Sequence, residues 1–271
     1  MNKQVLLIND MAGYGKVALS AMIPVLSHMG VNINNLPTAL VSNTLDYGKF
    51  DILDTTEYMK NTLRVWDELG FTFDAVSTGF IVNSEQAEMI REYCKVQSEK
   101  GVSVFCDPIM GDNGSLYPGM GEETVENMRK LISCADYIIP NYTEATLLTG
   151  KEYVEEPSAD EVREVIDALR EMGAGSVIVT STKVDGIDQI SCYDKETEQY
   201  FTVPYENIPV RFPGTGDIFS SVMLGGVLKK DSLEKSVKRA SDVVYKMIRQ
   251  SLDNEDKFKG IEIESCLEAI D

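Results

Sequence analysis

The chain has 271 residues, of which 43% are hydrophobic, and a formal net charge of −19. This length suits a single α/β domain covering residues 1–271, and the charge repels nucleic-acid phosphates and anionic lipid surfaces. Because no apolar run approaches the length that spans a bilayer and the amino terminus lacks a signal-peptide core, we expect a cytoplasmic protein with no membrane or nucleic-acid partner.

Short apolar runs alternate with longer amphipathic stretches along most of the chain. The apolar runs predict buried strands at residues 5–9, 75–78, 102–106, 137–139 and 177–180. The amphipathic stretches predict helices at residues 17–29, 55–69, 84–100, 122–132, 159–172, 215–229 and 233–249. This alternation indicates βαβ units and a mostly parallel sheet, in which ligands bind beyond the carboxyl ends of the strands.

One segment departs from that alternation. Residues 187–193 and 199–203 alternate polar and apolar side chains around a turn-like stretch of charged residues. We expect them to form an antiparallel hairpin at one edge of the sheet. The charged residues 253–259 predict a loop.

The segment Pro213-Gly214-Thr215-Gly216-Asp217 opens a long predicted helix. Glycines let a backbone approach a ligand closely, and the amides and dipole of a helix N-terminus favour the charge of a transferring phosphoryl group. Asp217 is then the candidate base that takes a proton from an attacking hydroxyl. A capped helix start with an acid in its first turn explains the same residues, and the motif alone leaves both interpretations open.

Two further acidic loops follow predicted strands. Asp107 and Asp112 come after residues 102–106, and Asn141 and Glu144 come after residues 137–139. Magnesium prefers oxygen ligands and keeps several waters, so one or two of these carboxylates are sufficient for a site. Each loop also has a purely structural explanation, as a turn with solvated acids or as a helix capping box.

The first loop, residues 9–16, leaves the first strand and enters a helix. Its glycines match neither a Walker A loop nor a dinucleotide fingerprint, but Asn9 and Asp10 suit a small polar ring. His28 is the only histidine, so a Ser/His/Asp triad has little support. The five cysteines are widely spaced and predict reduced, mostly buried thiols.

The ordered motifs at residues 8–15, 107–112, 141–145 and 214–217 resemble the ribokinase-like superfamily and, within it, the pyridoxal/pyridoxamine kinase branch. The resemblance implies a three-layer α/β/α sandwich, ATP as co-substrate, Mg²⁺ and a homodimer. It leaves open whether a monovalent cation takes part. The reaction that it implies is phosphorylation of the hydroxymethyl group of a vitamin B6 vitamer.

The resemblance also assigns roles to individual residues. It makes Asp217 the catalytic base, with Gly214 and Gly216 cradling the transferring phosphate, and it assigns magnesium to Asp112 and Glu144. Nucleotide binding falls to Asp107, Asn141, Thr180, Ser181, Thr215 and Gly216. Binding of the vitamin ring falls to Asn9, Asp10, Ser42, Thr44 and Phe80, together with Asp217.

The chain departs from the branch in its first loop. Many pyridoxal kinases carry Ser-His where this chain has Asn9-Asp10, a pair that looks more like the Ser-Asp of hydroxymethylpyrimidine kinases. Where relatives often have an aromatic residue this chain has Val41, so stacking on the ring falls to Phe80, Tyr47 or Tyr14. A hydroxymethylpyrimidine kinase of thiamin synthesis and a non-catalytic ligand-binding protein remain alternatives, and a sugar kinase fits less well because no early lid insertion is visible.

Overall fold

The computed structural model describes residues 3–271, and within that range no helix has both the length and the apolar character needed to span a bilayer. The strands are β1 (Gln4–Ala12), β2 (Asn32–Val41), β3 (Ile52–Asp54), β4 (Ala75–Thr78), β5 (Ser103–Cys106), β6 (Gly111–Asp112), β7 (Ser115–Leu116), β8 (Tyr137–Ile138), β9 (Ser176–Val184), β10 (Ile187–Asp194) and β11 (Gln199–Pro204). The helices are α1 (Leu19–His28), α2 (Thr56–Glu68), α3 (Ser84–Glu99), α4 (Glu122–Ile132), α5 (Tyr142–Thr149), α6 (Ala159–Glu171), α7 (Thr215–Leu228), α8 (Leu233–Gln250) and α9 (Ile263–Cys266).

Contacts divide the chain into two units. The continuous unit is Ala75–Tyr205, and the discontinuous unit runs up to Asp74 and resumes at Glu206. Each unit has its own strands and helices.

In the discontinuous unit, β1 is parallel to β2, and β3 pairs with β2 in the antiparallel direction. The β1 residues Val5, Leu6, Leu7 and Ile8 have no solvent exposure, as expected for a parallel strand covered on both faces. Helix α1 packs against β1, β2 and α7, and α7 also packs against α8. These contacts fix the carboxyl end of β1 beside the start of α7.

In the continuous unit, β4, β5, β8 and β9 are parallel neighbours, and β10 and β11 extend them as an antiparallel hairpin. The hairpin turn is held by Asp194, whose carboxylate accepts hydrogen bonds from the Glu196 amide at 3.0 Å and the Thr197 hydroxyl at 3.1 Å. The predicted mostly parallel sheet with an antiparallel edge hairpin is thereby confirmed.

Side-chain caps hold the starts of α3 and α6. The Asn83 side chain accepts from the Gln86 amide at 2.9 Å, and the Ser158 hydroxyl accepts from the Glu161 amide at 3.2 Å. Such caps satisfy amides of the first turn, which have no partner inside the helix. All five cysteines are free, and only Cys134 among them is partly exposed.

Candidate active site

The turn that enters α7 contains the two glycines that were predicted to cradle a phosphate. Gly214 has φ 85°, and a Cβ there would lie 2.0 Å from the Lys16 carbonyl oxygen, so packing permits only glycine. A Cβ on Gly216 would meet no atom of the described residues within 4 Å. The N-cap residue Gly214 brings no side-chain cap to α7, which leaves the amide end of this helix available to a ligand.

Asp217 lies in the first turn of α7, where its half-buried carboxylate is held from two sides. The Ala18 amide donates to Asp217 Oδ2 at 2.8 Å, and the Asn9 side chain forms a second hydrogen bond. Burial raises the pKa of Asp217 from 3.8 to about 6, although both hydrogen bonds oppose the shift. A fixed carboxylate with a pKa near neutrality is suited to general base catalysis.

Asp10 is a second carboxylate close to Asp217. Burial and the negative charge of Asp217 raise the pKa of Asp10 to about 7, while a backbone hydrogen bond partly opposes the shift. Two carboxylates that repel each other lose their protons in separate steps as the pH rises. The sequence assigned Asp10 to the ring of the substrate, and it gave no sign of this interaction with the proposed base.

The first loop and residues 42–44 run side by side. The Gly13 amide donates to the Val41 carbonyl at 2.7 Å, and the Tyr14 amide donates to the Ser42 carbonyl at 3.0 Å. Ser42 is exposed, whereas Thr44 is buried with its hydroxyl donating to the Phe258 carbonyl at 2.7 Å. The structure therefore brings Asn9, Asp10, Ser42 and Thr44 into one unit with Asp217, and it uses the Thr44 hydroxyl for an internal contact.

In the continuous unit, Glu144 is the N3 residue of a capping box with Asn141. Its Oε2 accepts from the Asn141 amide at 2.8 Å, and its Oε1 accepts from the Met110 amide at 3.1 Å. Burial and the charge of Asp107 hold the pKa of Glu144 well above its usual range, against the pull of the backbone hydrogen bonds. The capping role considered in the sequence is present, and both carboxylate oxygens already accept a hydrogen bond.

Asp112 lies in the small β6–β7 hairpin. Its Oδ1 accepts from the Asn113 amide at 2.9 Å, and the Asn141 side chain ties this hairpin to α5 by donating to the Gly111 carbonyl at 2.8 Å. Oxygen ligands are the donors that magnesium prefers, and repulsion between Asp107 and Glu144 is relieved by a cation. Within residues 3–271 no group of three or more His, Cys, Asp or Glu side chains could hold a metal ion.

A bulge in β9 carries the next pair of predicted nucleotide residues. Thr182 pairs with Gln189, and Val179 pairs with Ser191. Two residues of β9 therefore lie opposite one residue of β10. Ser181 has φ 60°, a conformation that is uncommon outside glycine. Such bulges often re-aim side chains at functional sites, and this one lies at Thr180 and Ser181, the residues assigned to the nucleotide.

The remaining predicted residues occupy the ends of strands or helices. Phe80 follows β4 and is half-buried, and Asp107 follows β5, where its amide donates to the Thr78 carbonyl at 2.9 Å. Thr215 turns its hydroxyl back to the Phe212 carbonyl at 3.3 Å. The predicted site residues are divided between the two units. The continuous unit contains Phe80, Asp107, Asp112, Asn141, Glu144, Thr180 and Ser181, and the discontinuous unit contains the others.

Two contributors to the site were not predicted. Ala18 has φ 49° and presents its amide to Asp217, and an alanine carries no sequence signal for such a backbone role. Phe258 holds Thr44 through its carbonyl, from a segment that the sequence indicated only as a charged loop.

The chain is similar to known proteins over most of its length. The sequence model of a family described as phosphomethylpyrimidine kinase matches residues 19–262. The chain is similar to a pyridoxal kinase from Arabidopsis thaliana, with 30% identity over 87% of this chain and 77% of that protein. It is equally similar to a hydroxymethylpyrimidine/phosphomethylpyrimidine kinase from Aquifex aeolicus, with 30% identity over 88% of this chain and 91% of that protein.

A solved structure resembles the whole chain. It is a Bacteroides thetaiotaomicron protein provisionally assigned as a phosphomethylpyrimidine kinase and crystallised with pyridoxal. The TM-score is 0.94 at 33% identity, and the match covers 100% of this chain and 96% of that one. The similarity confirms the predicted fold class, the α/β/α sandwich of ribokinase-like enzymes.

Proposed function

Because the chain belongs to the phosphomethylpyrimidine kinase family, we propose that it transfers the γ-phosphoryl group of ATP to the 5'-hydroxymethyl group of a vitamin B6 vitamer. The observation that carries this proposal is Asp217, a carboxylate fixed by the Ala18 amide at the start of α7, one residue after Gly216. Pyridoxal in the Bacteroides relative favours the B6 substrate class.

Asp217 accepts the proton of the vitamer hydroxyl while the hydroxyl oxygen attacks the γ-phosphorus. The bond between the γ-phosphorus and the bridging oxygen breaks in line with this attack, and ADP leaves. With a pKa of about 6, its carboxyl is largely ionised at neutral pH and ready to act as a base. The Ala18 amide and the Asn9 side chain hold its orientation. The amide end of α7 at Gly214 and Gly216 stabilises charge on the transferring phosphoryl oxygens.

Asp112 would hold a magnesium ion directly, and Glu144, whose oxygens already bind amides, would act through water. When bound, the ion neutralises charge on the oxygens of the triphosphate. Asp107, Asn141, Thr180, Ser181 and Thr215 are the proposed neighbours of the nucleotide, and Phe80 is a proposed contact of the vitamin ring.

We place the enzyme in the cytoplasm, with residues 1–271 working as one kinase domain. A homodimer is proposed because the β2–β3 pair exposes the apolar side chains of Leu40 and Leu53, which lie opposite each other and so share one face of the sheet. Exposed patches of this kind often mark subunit contacts.

Phosphorylation of hydroxymethylpyrimidine is the second candidate function, because Asp10 and the Aquifex relative both favour it. Release of ADP from magnesium-ATP, measured in parallel on pyridoxal, pyridoxine, pyridoxamine and hydroxymethylpyrimidine, separates the candidates. We expect turnover on at least one B6 vitamer. Turnover on hydroxymethylpyrimidine alone would assign the enzyme to thiamin synthesis. Vitamer binding without ADP release would show that the protein binds the vitamer without phosphorylating it.

A further inference from the structure

A segment near the carboxyl terminus crosses the loops that the proposed function assigns to the vitamer. Residues 256–260, here called the C-terminal strap, contain a short 3-10 turn, Lys257–Lys259. The Thr44 hydroxyl donates to the Phe258 carbonyl at 2.7 Å, and the Lys16 amide donates to the Lys259 carbonyl at 2.8 Å. The successive carbonyls of Phe258 and Lys259 therefore bind the first loop, at Lys16, and the segment 42–44, at Thr44.

The strap also contacts the turn before α7. Gly260 has φ 86° and ψ −168°, a region that is almost restricted to glycine. A Cβ at this position would lie 3.0 Å from the Lys16 carbonyl oxygen and 3.0 Å from the Pro213 carbonyl oxygen. The strap thus ends in close contact with the first loop and with the residue before Gly214.

Side chains join the same elements. The Tyr47 ring packs edge-on against Phe258 with 5.8 Å between centroids, and its hydroxyl donates to the Asp256 carboxylate. Tyr14 lies 5.9 Å from Tyr47, and the Lys259 ammonium lies 5.8 Å from the Tyr14 ring. Burial raises the pKa of the Tyr47 hydroxyl above its usual value, and the hydrogen bond to Asp256 raises it further. The hydroxyl therefore keeps its proton and acts as the donor.

We propose that the C-terminal strap is a positioning element that sets the affinity for the vitamer. This inference rests on the proposed function. The strap acts through the first loop and residues 42–47, and its own role is to order these loops before the substrate arrives. Loops that are ordered in advance lose less conformational entropy on binding. Removing the contacts between the strap and residues 42–47 should therefore weaken vitamer binding more than ATP binding.

The Tyr47–Asp256 contact gives a direct test, because both side chains can be changed without altering the strap backbone. Tyr47→Phe removes the hydroxyl and keeps the ring, and Asp256→Ala removes the acceptor. Each should raise KM for pyridoxal about fivefold, the equivalent of one hydrogen bond, with KM for ATP unchanged within about twofold. Asp256→Asn keeps an acceptor and should restore the KM for pyridoxal.

Tyr245→Phe is the matched control. It removes a tyrosine hydroxyl that donates to the Glu206 carboxylate at 2.9 Å, outside the strap, and should change neither KM. The double variant Tyr47→Phe/Asp256→Ala should be no worse than the poorer single variant, since both remove the same contact.

Two results would overturn this inference and leave the proposed function intact. One is an unchanged pyridoxal KM in both single variants, and the other is a rise in the KM for ATP equal to the rise in the KM for pyridoxal. A lower melting temperature without a change in the pyridoxal KM is a case of the first result, because it would make the strap merely structural. A wild-type enzyme that phosphorylates no B6 vitamer would overturn the proposed function, and this inference with it.

Discussion

Asp10 and Asp217 form a pair of carboxylates whose environment keeps their pKa values well above the 3.8 of a free aspartate. Burial is the main cause for both, and Asp10 also feels the charge of Asp217. Asp217, with the lower pKa, ionises first. The proposed base is therefore charged at neutral pH. Its negative charge disfavours ionisation of Asp10, which keeps its proton to a higher pH.

The pair should lower the stability of the folded protein at alkaline pH. Between pH 3.8 and about 7 the folded state holds the Asp10 proton more tightly than the unfolded state, so stability falls as the pH rises through this window. Asp10→Asn removes this penalty. We expect its melting temperature to exceed that of the wild type by roughly 5 °C at pH 8, with the difference shrinking toward pH 5.

Thermal unfolding of the two proteins at pH 5 and pH 8 checks this expectation. Asp253→Asn, a change to an exposed carboxylate, controls for the loss of one negative charge from a chain with a net charge of −19. A difference between wild type and Asp10→Asn that is the same at both pH values would show that Asp10 ionises normally in the folded protein.

At the scale of elements, the two glycines at the start of α7 have different reasons to be glycine. Gly214 is required by the chain itself, because a Cβ would collide with the Lys16 carbonyl. Gly216 is not required by packing, because a Cβ there meets no described atom within 4 Å. The proposed function places the transferring phosphate beside Gly216.

Gly216→Ala should therefore fold normally and fail as a kinase. Alanine has the better helix propensity, so the melting temperature should stay the same or rise slightly. The added methyl group enters the proposed anion site, and kcat/KM for ATP should fall about tenfold or more. Gly214→Ala is the contrasting variant and should lose stability. Full activity of Gly216→Ala would show that the transferring phosphate does not bind at this turn.

Elements with strong periodicity could be predicted from the sequence, and those shaped by tertiary contacts could not. The strand Ala75–Thr78 and the helix Glu122–Ile132 occupy their predicted residues. Strand β2 was missed because its segment mixes asparagines with Pro37, and the polar Asn34 is satisfied by Gln4 and the Val5 carbonyl on the neighbouring strand. Partners of that kind are visible only in the folded chain.

The candidate site divides in the same way. Asp217 was predicted because glycines and an acid at a helix start carry a local signal, and the capping box of Glu144 follows from its spacing to Asn141. The Ala18 amide, the Asp10–Asp217 repulsion and the Thr44–Phe258 hydrogen bond join residues distant in sequence. No local pattern encodes them.

At the scale of the whole molecule, the net charge of −19 requires that a polyanionic nucleotide be held by local devices. The amide end of α7 and the proposed magnesium site are such devices, and neither needs a basic surface. The same charge discourages nonspecific association, so subunit contacts should concentrate on apolar surface.

The apolar side chains on β2 and β3 are the proposed subunit contact. Leu53 is 60% exposed, so Leu53→Glu should leave the fold of each chain intact and convert the proposed homodimer to monomers. Light scattering coupled to size-exclusion chromatography measures the mass, and unfolding checks the fold. Lys60→Glu, a charge change at a residue outside this patch, is a control. A wild-type protein that is monomeric at micromolar concentration would contradict the proposal.

The most direct test of the central claim is single-turnover formation of pyridoxal 5'-phosphate from magnesium-ATP by wild type and by Asp217→Asn, with ATP affinity measured separately. We predict that wild type forms the phosphate ester and that the variant binds ATP equally well but reacts about 10²-fold more slowly or worse, as loss of a positioned base requires. Near-normal formation of the product by Asp217→Asn would contradict the assignment of Asp217 as the base.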